Sequence, residues 1–376
     1  MTYALDDIAD INEVLGRVSE FAGRVASRET DVLTAVRKTM EDRGMIMTFE
    51  PASETDKTVE AVDSAHAVFR TVSVQLIATA AVSYSKRTAR KVVNAVPSLL
   101  SDDAEFIARG LSALYELALA YTSDAEVVLL DGSLMSFMLE LVTFYLKLCN
   151  TEDPAVKAVR EYVDPDYDGR YNVFSIAGSR DFIAGLLTRT DRRTVAIPKA
   201  SASQDAVRYL ADSVLGDGEW KIGTALLERY TDRSLFTQVL KSGEYFVYHT
   251  TFKRNSDKST LSGLTPALDY LAGRGENGGL TVVVYRPYEW VPAYKVEIPG
   301  RVPEREVEEV VKTLSASIVN PYVKEHLEQY MADVFAKRFV RALVTASSVA
   351  LQNAVVSSDD ADSLLLLSYY RTGEAE

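Results

Sequence analysis

Three acidic side chains stand where a hydrolytic metal centre would need them: Asp63 in VEAVDSAHAVF, Glu116 in LYELALAY and Asp131 in EVVLLDGSL. Phosphodiester hydrolysis assisted by two metal ions needs carboxylates converging from separate elements. They hold hard cations roughly 3.5–4 Å apart, one activating water and the other steadying the leaving oxygen. Asp63 lies in an apolar run, where a charge is expensive unless it is paired or metal-bound. Asp131 ends the wholly apolar VVLL, as a buried strand does when it delivers a carboxylate at its tip, and Gly132 permits a tight turn beside it. Glu116 falls next to the stripe of Leu111, Leu114 and Leu117, at the boundary of a helix's apolar face. Singly, an Asp-Gly is more often a turn and a helical Glu more often a solvated side chain. The order strand, helix, strand makes the three a candidate set.

The elements around them read as α/β. From Thr58 to Tyr84 the chain is rich in β-branched residues without a helical stripe, which predicts two or three strands joined by short turns. SDDAEFIARGLSALYELALAY opens with a start signal and acids, then shows one apolar face, so it is a helix. A helix over about 133–149 follows the Asp131 strand, and RRTVAIPKASASQDAVRYLADSVL reads as strand then helix. The span 243–299 reads as mostly strand around a glycine-rich loop, and helices over about 303–315 and 321–352 come after it. Ahead of the sheet, Ile8, Ile11, Val14, Leu15, Val18 and Phe21 recur at helical spacing. With a second helix from about Glu29 to Arg43, they predict a hairpin packed on the core or on a partner. Segments 1–50 (helical), 51–345 (the sheet and its insertions) and 346–376 (a helical tail) follow.

The composition narrows the function classes. At 376 residues and 47% hydrophobic, the chain buries one large core or two smaller ones. A net charge of −13 excludes a polyanion binder basic all over and leaves room for a local track. Two basic clusters qualify: Lys86, Arg87, Arg90 and Lys91, then Arg189, Arg192, Arg193 and Lys199, with a solvated charged face as the plainer reading of each. Arg286 among Tyr285, Tyr288 and Trp290 suits stacking on unpaired bases, although strand packing explains the aromatics as well. The single Cys149 forbids an internal disulfide and a cysteine zinc site. No stretch reaches the roughly 18 apolar residues of a membrane span, and the first residues lack a secretory pattern, so a soluble cytoplasmic protein is expected. No Walker lysine is present, so energy for translocation would come from a partner.

These segments resemble the NurA nucleases. VEAVDSAH is similar to that family's first catalytic strand, EVVLLDGSL to its second aspartate motif, and Glu116, fifteen positions before Asp131, takes the place of its helical glutamate. VAIPKASAS, TDRSLFTQVLKSGEY and YKVEIP resemble later family segments in the same order. The resemblance implies a ribonuclease-H-like mixed sheet flanked by helices. It also implies manganese (or magnesium) dependence, single-strand endonuclease and end-directed exonuclease action on DNA, a homodimer, and a hexameric HerA-type ATPase as partner in end resection and repair. Asp63, Glu116 and Asp131 would be its metal ligands; apart from the resemblance, Lys199, Arg192, Arg193 and Arg286 are the candidate contacts to nucleic acid by residue type and setting. The family's C-terminal tyrosine and histidine find counterparts in Tyr322 and His326, one helical turn apart, with Tyr330 or Glu328 as other occupants. One departure stands out. Where the family has Asp-Gly-Ser after the first strand, this chain has Asp63-Ser64-Ala65, which opens the alternative of a catalytically impaired subunit that binds DNA or a translocase without cutting.

Overall fold

The computed structural model describes residues 13–20, 30–163, 174, 176, 179–198, 203–215, 220–252, 264–320 and 322–356. Among these, nine strands form one mixed sheet. In chain order they are β1 (Met47–Thr48), β2 (Val59–Arg70), β3 (Val74–Ser85), β4 (Ala89–Leu99), β5 (Val127–Leu130), β6 (Arg193–Ala196), β7 (Glu244–Thr250), β8 (Leu280–Arg286) and β9 (Tyr294–Pro299). Across the sheet the order is β1-β7-β8-β9-β6-β5-β2-β3-β4. Strands β2 to β4 make an antiparallel meander, and β5 and β6 add to β2 in parallel. A meander followed by parallel strands reached through helices is the ribonuclease-H-like arrangement. Antiparallel pairing then extends it through β9, β8, β7 and β1.

Residues 13–20 are helical (α1). The other helices are α2 (Thr30–Asp42), α3 (Ala104–Tyr121), α4 (Leu134–Lys147), α5 (Pro154–Tyr162), α6 (Ser179–Thr188), α7 (Asp205–Tyr209), α8 (Trp220–Arg229), α9 (Asp232–Val239), α10 (Thr265–Leu271), α11 (Glu304–Ser315) and α12 (Leu327–Val356). A π-helical turn, Leu210–Leu215, continues α7. One sheet face packs Val62 and Leu130 against Leu111, Phe144 and Phe182 of α3, α4 and α6. The other packs Ala61, Leu129 and Val283 against Val311 and Leu314 of α11. Covered on both faces, β5 can be apolar throughout. Helix α3 lies close on α4, because a Cβ at Gly110 would meet the Phe144 ring at 2.3 Å.

Helices α2 and α9 bury Val36, Met40 and Phe236 against Phe246 of β7. Strand β1 pairs with that same β7, tying the chain before residue 51 into the sheet. Helix α12 runs unbroken through residue 345. In α1 the stripe of Val14, Leu15 and Val18 is exposed, while Ile8, Ile11 and Phe21 lie outside the described residues. Three features depart from the reading of the sequence. Strand β4 was not foreseen, because charged residues and Pro97 mask an edge strand. The short helix α10 interrupts the strand-rich span. The last long helix starts at Leu327 rather than near residue 321. No described helix is long and apolar enough to cross a membrane.

Candidate metal centre

The three acids expected from the sequence converge, and a fourth joins them. Asp63 sits mid-way along β2, Glu116 reaches the next residue, Ser64, from α3, and Asp131 follows β5. The parallel pairing of β2 with β5 brings Leu130 beside Val62, so each aspartate lies one residue beyond its partner strand's register mate. Asp333 enters from α12, which crosses β2 and β3. One carboxylate oxygen each from Asp63, Asp131 and Asp333 lies within 4.8 Å of the others. Asp63, Glu116 and Asp131 line a cleft of about 180 Å³ together with Ser64, His66, Arg109 and Glu140. At Gly132 an added Cβ would come 3.1 Å from the Phe137 ring, so the turn after Asp131 is tight enough to want glycine.

Glu116 binds the cluster together. Its Oε2 accepts from the Ser64 hydroxyl at 2.9 Å and its Oε1 from the Asp131 backbone N–H at 3.2 Å. Burial (2% exposed) and then the charge of Asp131 push its pKa well above the usual carboxylate range, against the pull of those two hydrogen bonds. Ser64 therefore has a structural use in the Asp-Ser-Ala departure. Strand β2 continues past it to Arg70 without a turn, and its hydroxyl couples β2 to α3. Such a crowd of hard oxygen donors fits a divalent cation: three carboxylates converge, and a fourth is pushed toward its proton-bound form by burial and by the charge of Asp131.

Behind Asp131 runs a buried polar chain. Gln329 Nε2 donates to Asp131 Oδ1 at 2.8 Å, leaving Gln329 Oε1 3.3 Å from His326 Nδ1, and His326 Nε2 is 2.6 Å from the Tyr285 hydroxyl. A carboxylate only accepts, so the amide nitrogen must face Asp131. The Nδ1 of His326 then carries the proton and Tyr285 donates to Nε2. His326 is 0% exposed, and burial pushes its pKa down to about 4, which keeps it neutral. The geometry makes His326 a support for Asp131 through Gln329.

The remaining expected residues lie elsewhere. Tyr322 is 94% exposed in a bend before α12, so it and His326 do not share a helical face. Arg192 binds Asp124 and the Ser123 carbonyl, and Arg193 binds Glu306. Arg286 donates to the carbonyls of Thr237, Leu240 and Glu289. Tyr285 is buried, and Tyr288 and Trp290 stack on each other with centroids 5.2 Å apart. Lys199 lies outside the described residues. His249 bridges β7 and β8 through the Thr281 hydroxyl at 3.1 Å. His66 shares the α3 side of β2 with Ser64, the opposite side from Asp63. Asp232 caps α7, accepting from Ala206 and Val207 N–H at 2.9 and 3.0 Å. Asp333 is the site residue the sequence did not reveal.

Fold and site together define a ribonuclease-H-like sheet with a cluster of carboxylates at the end of its parallel strands. Among solved structures, the chain matches the NurA nuclease from Sulfolobus solfataricus with a TM-score of 0.55 at 14% identity, over 94% of this chain and 98% of that one. It also matches NurA bound to dAMP and manganese with a TM-score of 0.54 at 13% identity, over 92% and 99%. A further match is to NurA with manganese, with a TM-score of 0.54 at 12% identity, over 91% and 98%. The fold is that of the NurA nucleases. Neither a family model nor a curated protein sequence matches the chain.

Proposed function

We propose that this protein is a divergent NurA-type nuclease that hydrolyses DNA with divalent metal, manganese or magnesium. The observation that carries the reading is the convergence of carboxylates from β2, the end of β5 and α12 within 4.8 Å, with Glu116 hydrogen-bonded into the group. Support comes from the fold shared with NurA structures, one of which holds dAMP and manganese. Asp63, Asp131 and Asp333 would hold the cation, with Glu116 alongside. When bound, such ions polarise a phosphate oxygen and lower the pKa of the attacking water. The chain's own residues do the rest. Gln329 fixes the rotamer of Asp131, and neutral His326 fixes Gln329. Ser64 and the Asp131 N–H hold Glu116 at the cleft, poised to take or return a proton.

Single-strand endonuclease and end-directed exonuclease action, a homodimer, a hexameric HerA-type translocase in end resection, and a cytoplasmic location belong to the same proposal. The test is manganese-dependent degradation of labelled single-stranded DNA by the purified chain, lost in Asp63→Ala and in Asp131→Ala. Binding without cleavage under either metal would favour the impaired-subunit reading that the Asp63-Ser64-Ala65 departure motivated.

A further inference from the structure

The chain carries 54 acids among 376 residues, yet from Ser64 to Ser101 there is none. At the chain's own average such a stretch would hold about five. Nor is there an acid from Val334 to Val356. The fold brings these two acid-free segments together. Phe339, Val340, Leu343 and Val344 of α12 pack on Leu76, Ala78 and Ala80 of β3. Lys91 of β4 lies over the Phe339 ring, 4.3 Å from its centroid. Tyr84 at the end of β3 meets Phe335 at 5.9 Å between centroids.

The cations of the two segments therefore share one surface. Lys86, Arg87 and Lys91 are exposed on the β3–β4 hairpin and β4, and Lys337, Arg338 and Arg341 are exposed on α12. Lys337 reaches back to Asp333 at 2.7 Å. None of the other five forms an ion pair with a described residue. Arg90, their neighbour in sequence, is turned away and tied to Glu60 and the carbonyls of Thr122 and Leu119. Lys337 and Arg341 follow Asp333 at intervals of one helical turn, so the basic band begins at the carboxylate cluster and passes over α12 toward Lys91.

We propose that this band, formed by Lys86, Arg87, Lys91, Lys337, Arg338 and Arg341, binds the phosphodiester backbone of the nucleic acid delivered to the carboxylate cluster. In a chain of net charge −13, a surface where six cations meet only Asp333 and, near Lys86, Glu328, abutting a phosphodiesterase site, is where a polyanion gains most from counterion release. The inference leans on the nuclease reading only for what lies at the end of the track.

The probe is a fluorescent oligodeoxythymidylate, with binding to the full chain followed by anisotropy across a salt series in chelator, so that nothing is cut. Arg338→Gln and Arg341→Gln should each flatten the slope of log K against log salt by about 0.7, the value for one single-strand phosphate contact. The triple variant Lys91→Glu/Arg338→Glu/Arg341→Glu should lose binding by more than tenfold. Arg305→Gln, on the acidic helix α11, should leave both unchanged. Circular dichroism and the thermal midpoint establish that each variant is folded. An unaltered slope and affinity in the folded triple variant, or no binding by the wild type at low salt, overturns the proposal. Charge-dependent binding by a wild type that never cleaves upholds the track and sinks the nuclease reading. Cleavage that is indifferent to the triple variant on long strands does the reverse.

Discussion

Asp205 and Asp232 meet the ammonium of Lys295 at 2.9 and 3.0 Å, whereas Asp63, Asp131 and Asp333 meet one another. Both groups sit at the sheet, the first on β9 and the second on β2, with β6 and β5 between. In the first, burial works against the charged form of Asp205, but hydrogen bonds from Lys295 and Ser203 and the lysine's charge hold its pKa below the usual carboxylate range. In the second, burial and the charge of Asp131 push Glu116 the other way. One cluster carries its own cation and is finished by folding. The other is arranged so that a cation from solution would relieve it. Asp205 and Glu116 thus differ in whether a cation built into the fold faces them.

The comparison breaks if the two clusters respond alike to substitution, and the largest expected effect lies at the metal centre. Asp63→Asn, Asp131→Asn and Asp333→Asn should each slow DNA cleavage by about a thousandfold or more, about 4 kcal/mol of transition-state stabilisation. Steady-state rates with saturating manganese measure this. The same three variants should abolish the rise in thermal midpoint that manganese gives the wild type, a gain of about 2.7 kcal/mol at a hundred times Kd. Next comes Lys295→Met, which strands buried Asp232 without its counter-charge and should destabilise the fold by about 3–5 kcal/mol. Urea unfolding reads it, and manganese should not restore the loss.

Gln329→Leu sharpens the contrast at its margin. Removing the donor that fixes a ligand should lower metal affinity or turnover by about 10–100-fold while the fold survives. A metal titration of activity resolves it, and a variant indistinguishable from wild type would end the supporting role given to His326 and Gln329.

The smallest effect is at Glu244, far along the sheet. Burial pushes its carboxyl up, but paired hydrogen bonds and charge from Arg37, at 2.8 and 2.9 Å, together with the Lys241 N–H, bring it below the ordinary value. Its folded pKa is depressed, so the stability it adds is whole above the unfolded pKa near 4.3. That stability is lost as pH falls through the lower folded value. Glu244→Gln should cost roughly 1 kcal/mol at neutral pH, with the difference from wild type shrinking in acid melts below about pH 4.

Asp63, Glu116 and Asp131 were legible because each sits in an apolar local setting that a carboxylate enters only for a reason. Asp333 was not. In MADVFAKRF it has a lysine four residues on, which reads as a solvated helical pair, and only the docking of α12 across β2 turns it inward. His326 was singled out, but its partner Tyr322 was chosen on a helical spacing that the chain does not adopt there. The basic clusters looked equivalent by composition. Ion pairing by Asp124, Asp191 and Glu306, all distant or loop residues, neutralises Arg192, Arg189 and Arg193, while Lys86, Arg87 and Lys91 form no ion pair with a described residue, although Glu328 of α12 lies near Lys86. Local pattern finds a residue that is costly where it stands. It does not find one made important by what it meets from 270 positions away, as Asp333 meets Asp63.

Helix α12 gives the chain a property of timing. A ribosome that has finished β2 through β6 has already laid down Asp63, Glu116 and Asp131, but Gln329 and Asp333 come from beyond Leu327. A nascent or proteolysed fragment ending before that helix would carry the sheet and three of the clustered acids without the residues that complete the cluster.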